Sequence, residues 1–344
     1  MSYNALREYL KKRINENNAF VAFRLPEDSI IQLYYQEDKT LHTSSDLNAT
    51  GFVMAPFDPI AAIPFIPNTH SKRFAISKKK NSSPQNISYS EKEEERDAYI
   101  NKVEEAKKEI ALGKFQKVVL TRSVAGIPLK PLEELFLSLE QNYPRAMVYL
   151  FVHPKVGVWL GASPEQLISS NAEKYTTMAL AATQLVQTSP PKWTEKEQIE
   201  QELVVHQIEK DLLQHYAQSE IEKGETHSRQ AGHLVHLCTN FTFPKNQSPL
   251  SEIVKSLHPT PAVGGIPKKE AMTFIGKKEG LDRSFYTGFF GPITNDSTQL
   301  FVNLRCAQWF SEKVLLYVGA GITKDSDPQN EWEETQRKLK TVSG

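Results

Sequence analysis

Lys313-Val314-Leu315-Leu316-Tyr317-Val318-Gly319-Ala320-Gly321-Ile322, a polar turn, then Asn330-Glu331-Trp332-Glu333-Glu334-Thr335-Gln336-Arg337-Lys338-Leu339 form the most strongly patterned stretch of the chain. The first run is apolar, partly β-branched and ends on glycines, which predicts a buried strand. Asp327-Pro328 supplies a helix start, a side-chain acceptor followed by a residue suited to the first helical position. On that helix Glu331, Glu334 and Lys338 stand at i, i+3 and i+7 and share a face. Two carboxylates so close, above a glycine-ended strand, can hold a hard divalent cation through oxygen ligands. The alternative is a solvated charged face.

Upstream, apolar runs over 117–124, 146–152 and 157–161 predict strands, with a helix over 132–139 between the first two. Ile100, Val103, Ala106, Lys107 and Ile110 recur at helical spacing, and Leu112-Gly113 ends that helix. A long helix is predicted from about 194 to 216, a strand or short helix over 234–243, and three strand-like runs between 286 and 318. Helices inserted among many strands, with hairpin-length gaps near the C-terminus, predict an α+β fold. Its form is a single large domain with antiparallel β-sheets surrounded by helices. Apolar runs at 19–23 and 51–55 predict strands in an N-terminal layer of that fold, residues 1–90. The polar segment 77–90 predicts an exposed connection from this layer to the region 91–344.

Composition narrows the function classes. The chain carries 41 basic and 41 acidic side chains, so net charge makes no case for nucleic acid or an anionic membrane as partner. A small anionic ligand needs only a local cluster of cations. Two cysteines, Cys238 and Cys306, make no disulfide framework and fit a reducing cytoplasm. The first residues lack the apolar core of a signal peptide, and no apolar run approaches bilayer length. The expectation is a cytoplasmic protein, and a monomer, since no coiled-coil pattern is present.

Four further segments carry chemistry. In the long helix Val204, Ile208 and Leu212 form a buried stripe, which Glu200 continues one turn toward the N-terminus. A carboxylate there is either solvated or has a cation to bind. Gly161-Ala162-Ser163-Pro164-Glu165 ends a strand on a proline corner, which suits a general acid whose geometry must be fixed; a simple turn is the plain alternative. Lys117 opens an apolar strand, where lysine usually reaches to solvent; desolvated in a cleft, it can serve as a base. In 257–267 the prolines fix the path, and Gly264-Gly265 lets backbone approach a ligand closely. Gly319-Ala320-Gly321 lacks the third glycine of a dinucleotide fingerprint. His233, His236 and Cys238 lack an evident fourth zinc ligand, and strand spacing separates His233 from the other two.

Taken in order, seven stretches resemble the chorismate-utilising enzyme family, which includes anthranilate synthase component I, and most closely its isochorismate synthase branch. They are Lys-Val-Val-Leu-Thr-Arg (117–122), Gly-Ala-Ser-Pro-Glu (161–165), Leu-His-Pro-Thr-Pro-Ala-Val-Gly-Gly (257–265), Tyr-Thr-Gly-Phe-Phe-Gly (286–291), Leu-Arg-Cys-Ala (304–307), Gly-Ala-Gly-Ile (319–322) and Glu-Trp-Glu-Glu-Thr (331–335). The resemblance implies an isomerase that adds water at C2 of chorismate and expels the C4 hydroxyl, with Mg2+ as cofactor. It implies that Lys117 activates water and Glu165 protonates the leaving hydroxyl. It also implies that Glu200, Glu331 and Glu334 surround the metal. By the same resemblance Arg305 and Lys338 grip carboxylates, while Thr183, His236, Ala262 and Gly319 contact substrate. The lysine at 117 sets the chain apart from the ammonia-using members. The His-Pro-Thr-Pro loop favours isochorismate over salicylate as the released product.

Two positions depart from the family pattern. Glu200-Gln201 stands where the family has Glu-His, and Leu180-Ala181-Ala182-Thr183 stands where it has Leu-Ala-Gly-Thr. Gln201 is expected to alter support of a metal ligand, and Ala182 to add a methyl group close to substrate. The alternatives are a salicylate synthase and a catalytically impaired chorismate-binding subunit. The resemblance leaves open whether the product serves menaquinone, siderophore or salicylate biosynthesis.

Overall fold

The computed structural model describes residues 3–58, 62–76, 86–186, 190–231, 234–245 and 248–343. The C-terminal strand Val314–Ile322 lies inside a sheet, paired antiparallel with Lys117–Pro128 on one side and Cys306–Trp309 on the other. Its side chains alternate as a strand demands. Leu316, Val318 and Ala320 pack under helices, while Tyr317, Gly319 and Gly321 face the interior between sheets. The helix Pro328–Ser343 follows, and Asp327 caps it by accepting from the Asn330 backbone N–H at 2.9 Å.

Among the described residues two ten-stranded sheets form, and every strand pair is antiparallel. They meet across a cluster rich in aromatic side chains, with Phe23, Tyr149 and Trp159 from one sheet against Phe52, Phe290 and Phe301 from the other. Tyr3–Asn15 and Leu132–Asn142 cover the outer face of the first sheet, and Glu195–Leu212 and Leu250–Leu257 that of the second. The N-terminal strands join both sheets: Phe20–Arg24 pairs with Met147–His153, and Gly51–Ala55 with Phe289–Ile293. No helix among the described residues is long and apolar enough to cross a membrane. Both cysteines are buried and free.

Among the places where the chain changes sheets, two lie side by side. Gly157–Ser163 belongs to the first sheet and Gln166–Ser170 to the second, so Pro164-Glu165 is a crossing point. Thr298–Val302 and Cys306–Trp309 make the reverse crossing through residues 303–305. The crossings are stitched together: Ser163 donates to the Val302 carbonyl at 2.5 Å, and the Val302 N–H donates to Glu165 O at 3.0 Å. Strands that switch sheets make the corners of such a sandwich. Here the corners carry Glu165 and Arg305.

Several expectations need correction. The segment 77–90 is not all an exposed connection, because Ile87–Tyr89 is a strand on Lys117–Pro128 with Asn86 and Ile87 buried; residues 77–85 lie outside the described residues. Four strands, not three, fill the stretch after Tyr286, since Cys306–Trp309 follows Thr298–Val302 after only a short crossing. The ambiguous run over 234–243 is the strand Leu234–Pro244. Gly265 serves strand pairing rather than a ligand: a Cβ there would meet the Lys117 carbonyl at 2.2 Å and Val118 Cα at 2.9 Å.

Ala182 occupies a bulge. The register between Lys174–Leu185 and Leu234–Pro244 shifts between Ala181 and Gln184, leaving Ala182 and Thr183 opposite His236. Ala182 sits at φ 54°, a left-handed conformation in which glycine carries no Cβ penalty. Ala182→Gly should therefore raise stability by about 1 kcal/mol, read as a higher urea midpoint at unchanged slope. A lower midpoint would show that the bulge does not strain the alanine.

Candidate active site

A cavity of about 920 Å³, counting its open mouth, lies between the sheets. Lys117, Glu165, Thr183, Glu200, His236, Ala262, Arg305, Gly319, Glu331, Glu334 and Lys338 all line it. Strand alternation turns Lys117 inward with Val119, while Val118 and Leu120 face the helices. Its side chain is buried instead of reaching solvent, and its ammonium lies 2.8 Å from Glu200 Oε1. Gly321 leaves the room for this pair; a Cβ there would stand 3.0 Å from Lys117 Cε and 3.2 Å from Glu200 Oε1.

Glu165 is buried at its sheet crossing and accepts a hydrogen bond from Thr260 Oγ1 at 3.0 Å. Burial pushes its carboxyl up to about 7, against the Thr260 bond and the pull of Lys117, Lys338 and Arg305. A carboxyl tuned to neutrality can both hold and release a proton at working pH. The fold favours the neutral form, so the stability it represents is complete below about 4.5 and lost as pH climbs to about 7. A shift of that size corresponds to roughly 3 kcal/mol. Glu165→Gln, neutral at all pH, should gain on the parent by up to that amount in denaturant melts at pH 8 relative to pH 5. An equal difference at both pH values would rule out carboxylate burial as the cause.

His236 faces Arg305 Nη2 with Nε2 at 2.9 Å, and its Nδ1 lies 2.9 Å from the Ala182 carbonyl and 3.2 Å from Thr183 Oγ1. A guanidinium only donates, so Nε2 accepts and Nδ1 carries the proton toward Ala182. Burial and Arg305 push the imidazole down to about 3, so it stays neutral. His236 is therefore a fixed acceptor that aims Arg305. It is not positioned as a zinc ligand, and Cys238 turns instead to Asn240 at 3.7 Å. His233 lies outside the described residues.

Each of the three clustered glutamates has its own lysine. Glu200 meets Lys117 at 2.8 Å, Glu334 meets Lys338 at 2.7 Å, and Glu331 meets Lys196 at 3.4 Å. Lys338 also donates to the Gly319 carbonyl at 2.9 Å. Burial opposes ionisation of Glu200, but Lys117 outweighs it and holds the carboxyl low. Burial and neighbouring Glu334 push Glu331 up to about 7. Among the described residues no three His, Cys, Asp or Glu side chains converge on a metal-sized centre; each of these carboxylates is engaged by a lysine instead. The donor set still fits a hard divalent cation. It is all oxygen, and one member is strained by a neighbouring carboxylate that such a cation would neutralise.

Residues 58–343 match the family described as chorismate binding enzyme. The chain belongs to that family. It is 31% identical over 263 residues to the salicylate biosynthesis isochorismate synthase of Pseudomonas aeruginosa, covering 72% of this chain and 54% of that protein. It is 32% identical over 205 residues to isochorismate synthase EntC of Escherichia coli, covering 54% of this chain and 50% of that protein. The fold superposes on MenF, the menaquinone-specific isochorismate synthase from Escherichia coli, with a TM-score of 0.80 at 20% identity, over 95% of this chain and 89% of that one. The chain spans about half the length of the curated relatives it matches.

Within this chorismate-binding enzyme the two departures have local explanations. Gln201 turns away from Glu200 and donates to the Ala179 carbonyl at 3.2 Å and to Thr239 Oγ1 at 3.0 Å. It fastens the helix Glu195–Leu212 to the sheet beneath. Ala182 lines the cavity and lends its carbonyl to His236. Sequence reasoning assigned no role to Thr260, Lys196, Tyr286 or Tyr317, all of which touch or line the site. Only Lys196 carried a usable signal, four residues before Glu200 on one helical face.

Proposed function

We propose that this chorismate-binding enzyme converts chorismate to isochorismate, adding water at C2 and releasing the C4 hydroxyl. The observation that carries the reading is a single cavity lined by a buried lysine, a carboxyl pushed up to about 7 and three carboxylates from two helices. Two relatives named isochorismate synthases support the same reaction. Glu165, held by Thr260, gives its proton to the leaving hydroxyl, and Lys117 in its amine form, its ammonium proton first released to solvent, takes one from the attacking water on the opposite face of the ring. Arg305, aimed by neutral His236, and Lys338 hold substrate carboxylates. Thr183, Ala262 and Gly319 form wall around the ring. Glu200, Glu331 and Glu334 hold Mg2+, which when bound supplies positive charge to a substrate carboxylate.

Charge balance supports the pairing of substrate and metal. With Lys117 and Glu165 in the neutral forms their roles require, the wall carries Lys196, Arg305 and Lys338 against Glu200, Glu331 and Glu334. A dicarboxylate and a divalent cation together leave that balance unchanged, while either alone upsets it. The test is purified protein with chorismate, with and without Mg2+ and ammonia, and chromatography of the products. Isochorismate alone, dependent on Mg2+, is expected. Salicylate with pyruvate would assign the chain to the salicylate-forming reaction, and binding without turnover would make it a chorismate-binding subunit.

A further inference from the structure

Lys196 has no part in the reaction just described, yet it occupies a singular position. It lies four residues before Glu200, so one helical face presents a candidate cation ligand and an ammonium side by side. Thr194 fixes that turn: its backbone N–H donates to Glu197 Oε2 at 2.8 Å, and its hydroxyl accepts from the Glu197 N–H at 3.5 Å. From there Lys196 reaches Glu331 on the C-terminal helix at 3.4 Å. Among the described residues this is the one polar link joining the helices Glu195–Leu212 and Pro328–Ser343.

The three lysines that hold the glutamates differ in where they can go. The Lys117 side chain is 1% exposed and that of Lys338 23%, so both stay within the cavity when their partners leave. The Lys196 side chain is 45% exposed, while its partner Glu331 is 5% exposed. A half-exposed side chain on a flexible stem can swing its ammonium into water at little desolvation cost, whereas the buried carboxylate has to be neutralised where it stands.

We propose that Lys196 is the resident counter-ion a divalent cation must displace: it holds Glu331 in the free protein and swings to solvent when the carboxylates take the cation. The inference rests on reading Glu200, Glu331 and Glu334 as a cation site. Lys196 is thus a positioning residue that acts through Glu331, and it sets the threshold for metal binding.

Calorimetric titration of Mn2+ into the full chain, without substrate, tests this. Lys196→Met should bind Mn2+ roughly threefold tighter or more, because a competing cation is gone. Lys196→Arg, with a better fork for a carboxylate, should bind it no tighter than the parent. The gain from Lys196→Met should shrink at high salt and vanish in a Glu331→Gln background. Unchanged or weaker binding by Lys196→Met overturns the proposal; weaker binding would mean that the lysine merely braces the site. No Mn2+ binding by the parent would instead remove the cation-site reading itself, and the proposal with it.

Discussion

Lys117→Ala and Glu165→Ala proteins should fold and yet fail to turn over chorismate, with kcat reduced by about 10² to 10⁴ for each, the range that a positioned acid or base supplies. Both residues line one cavity, and each is held by a partner, Glu200 for Lys117 and Thr260 for Glu165. Removing Lys117 also frees Glu200, so Mg2+ should still bind and circular dichroism should match the parent. Removing Glu165 deletes a carboxyl that the fold prefers neutral, so that variant should be no less stable above pH 7. Steady-state assays with product chromatography decide the matter. Near-normal turnover by both variants would sink the assignments, and loss of folded signal by both would leave the pair a structural role only.

Glu279→Ala should cost about 3–5 kcal/mol of stability, the usual price of stranding a buried charge. Glu279 and Arg283 are almost fully enclosed and form a double contact at 2.6 Å through each carboxylate oxygen. Arg283 also donates to the carbonyls of Val119 and Val263 at 2.8 Å each, and Glu279 accepts from the Thr121 N–H at 2.9 Å. The pair therefore ties the strand that begins at Lys117 to the loop that carries Thr260. Urea melts should show the loss, and a Glu279→Leu/Arg283→Met double variant should recover much of it, because no charge is then left unpaired. A loss below about 1 kcal/mol for Glu279→Ala would mean that water reaches Arg283 after all.

The C-terminal strand and helix were legible because their information is local. A continuous apolar run that ends on glycines, a capping aspartate and one helical face are all set within the stretch 314–338. Lys117 was readable as a site residue but not as a buried one, because strand position alone does not say which face is enclosed. The sheet crossings at Pro164-Glu165 and 303–305 were invisible for a different reason. They depend on which distant strands pair, and neither segment's own pattern encodes its partner. Gly265 misled in the same way: the need for a bare backbone was correct, but the neighbour is the strand at Lys117, and Gly264 meets only its own loop at Pro259 and Thr260. Thr260 was hidden inside a recognised loop, since its role exists only once the crossing brings Glu165 within 3.0 Å.

The two crossings have a mechanical consequence. Because Glu165 and Arg305 hang from strands that pass between the sheets, and those strands are stitched to each other, the two side chains form the fixed jaw of a vice. Neither sheet can shear past the other without carrying both along. The carboxylate side is built differently, from two separate helices whose polar contact, among the described residues, is one half-exposed lysine. Adjustment to different occupants therefore falls to the carboxylate side, while Glu165 and Arg305 keep a constant gauge.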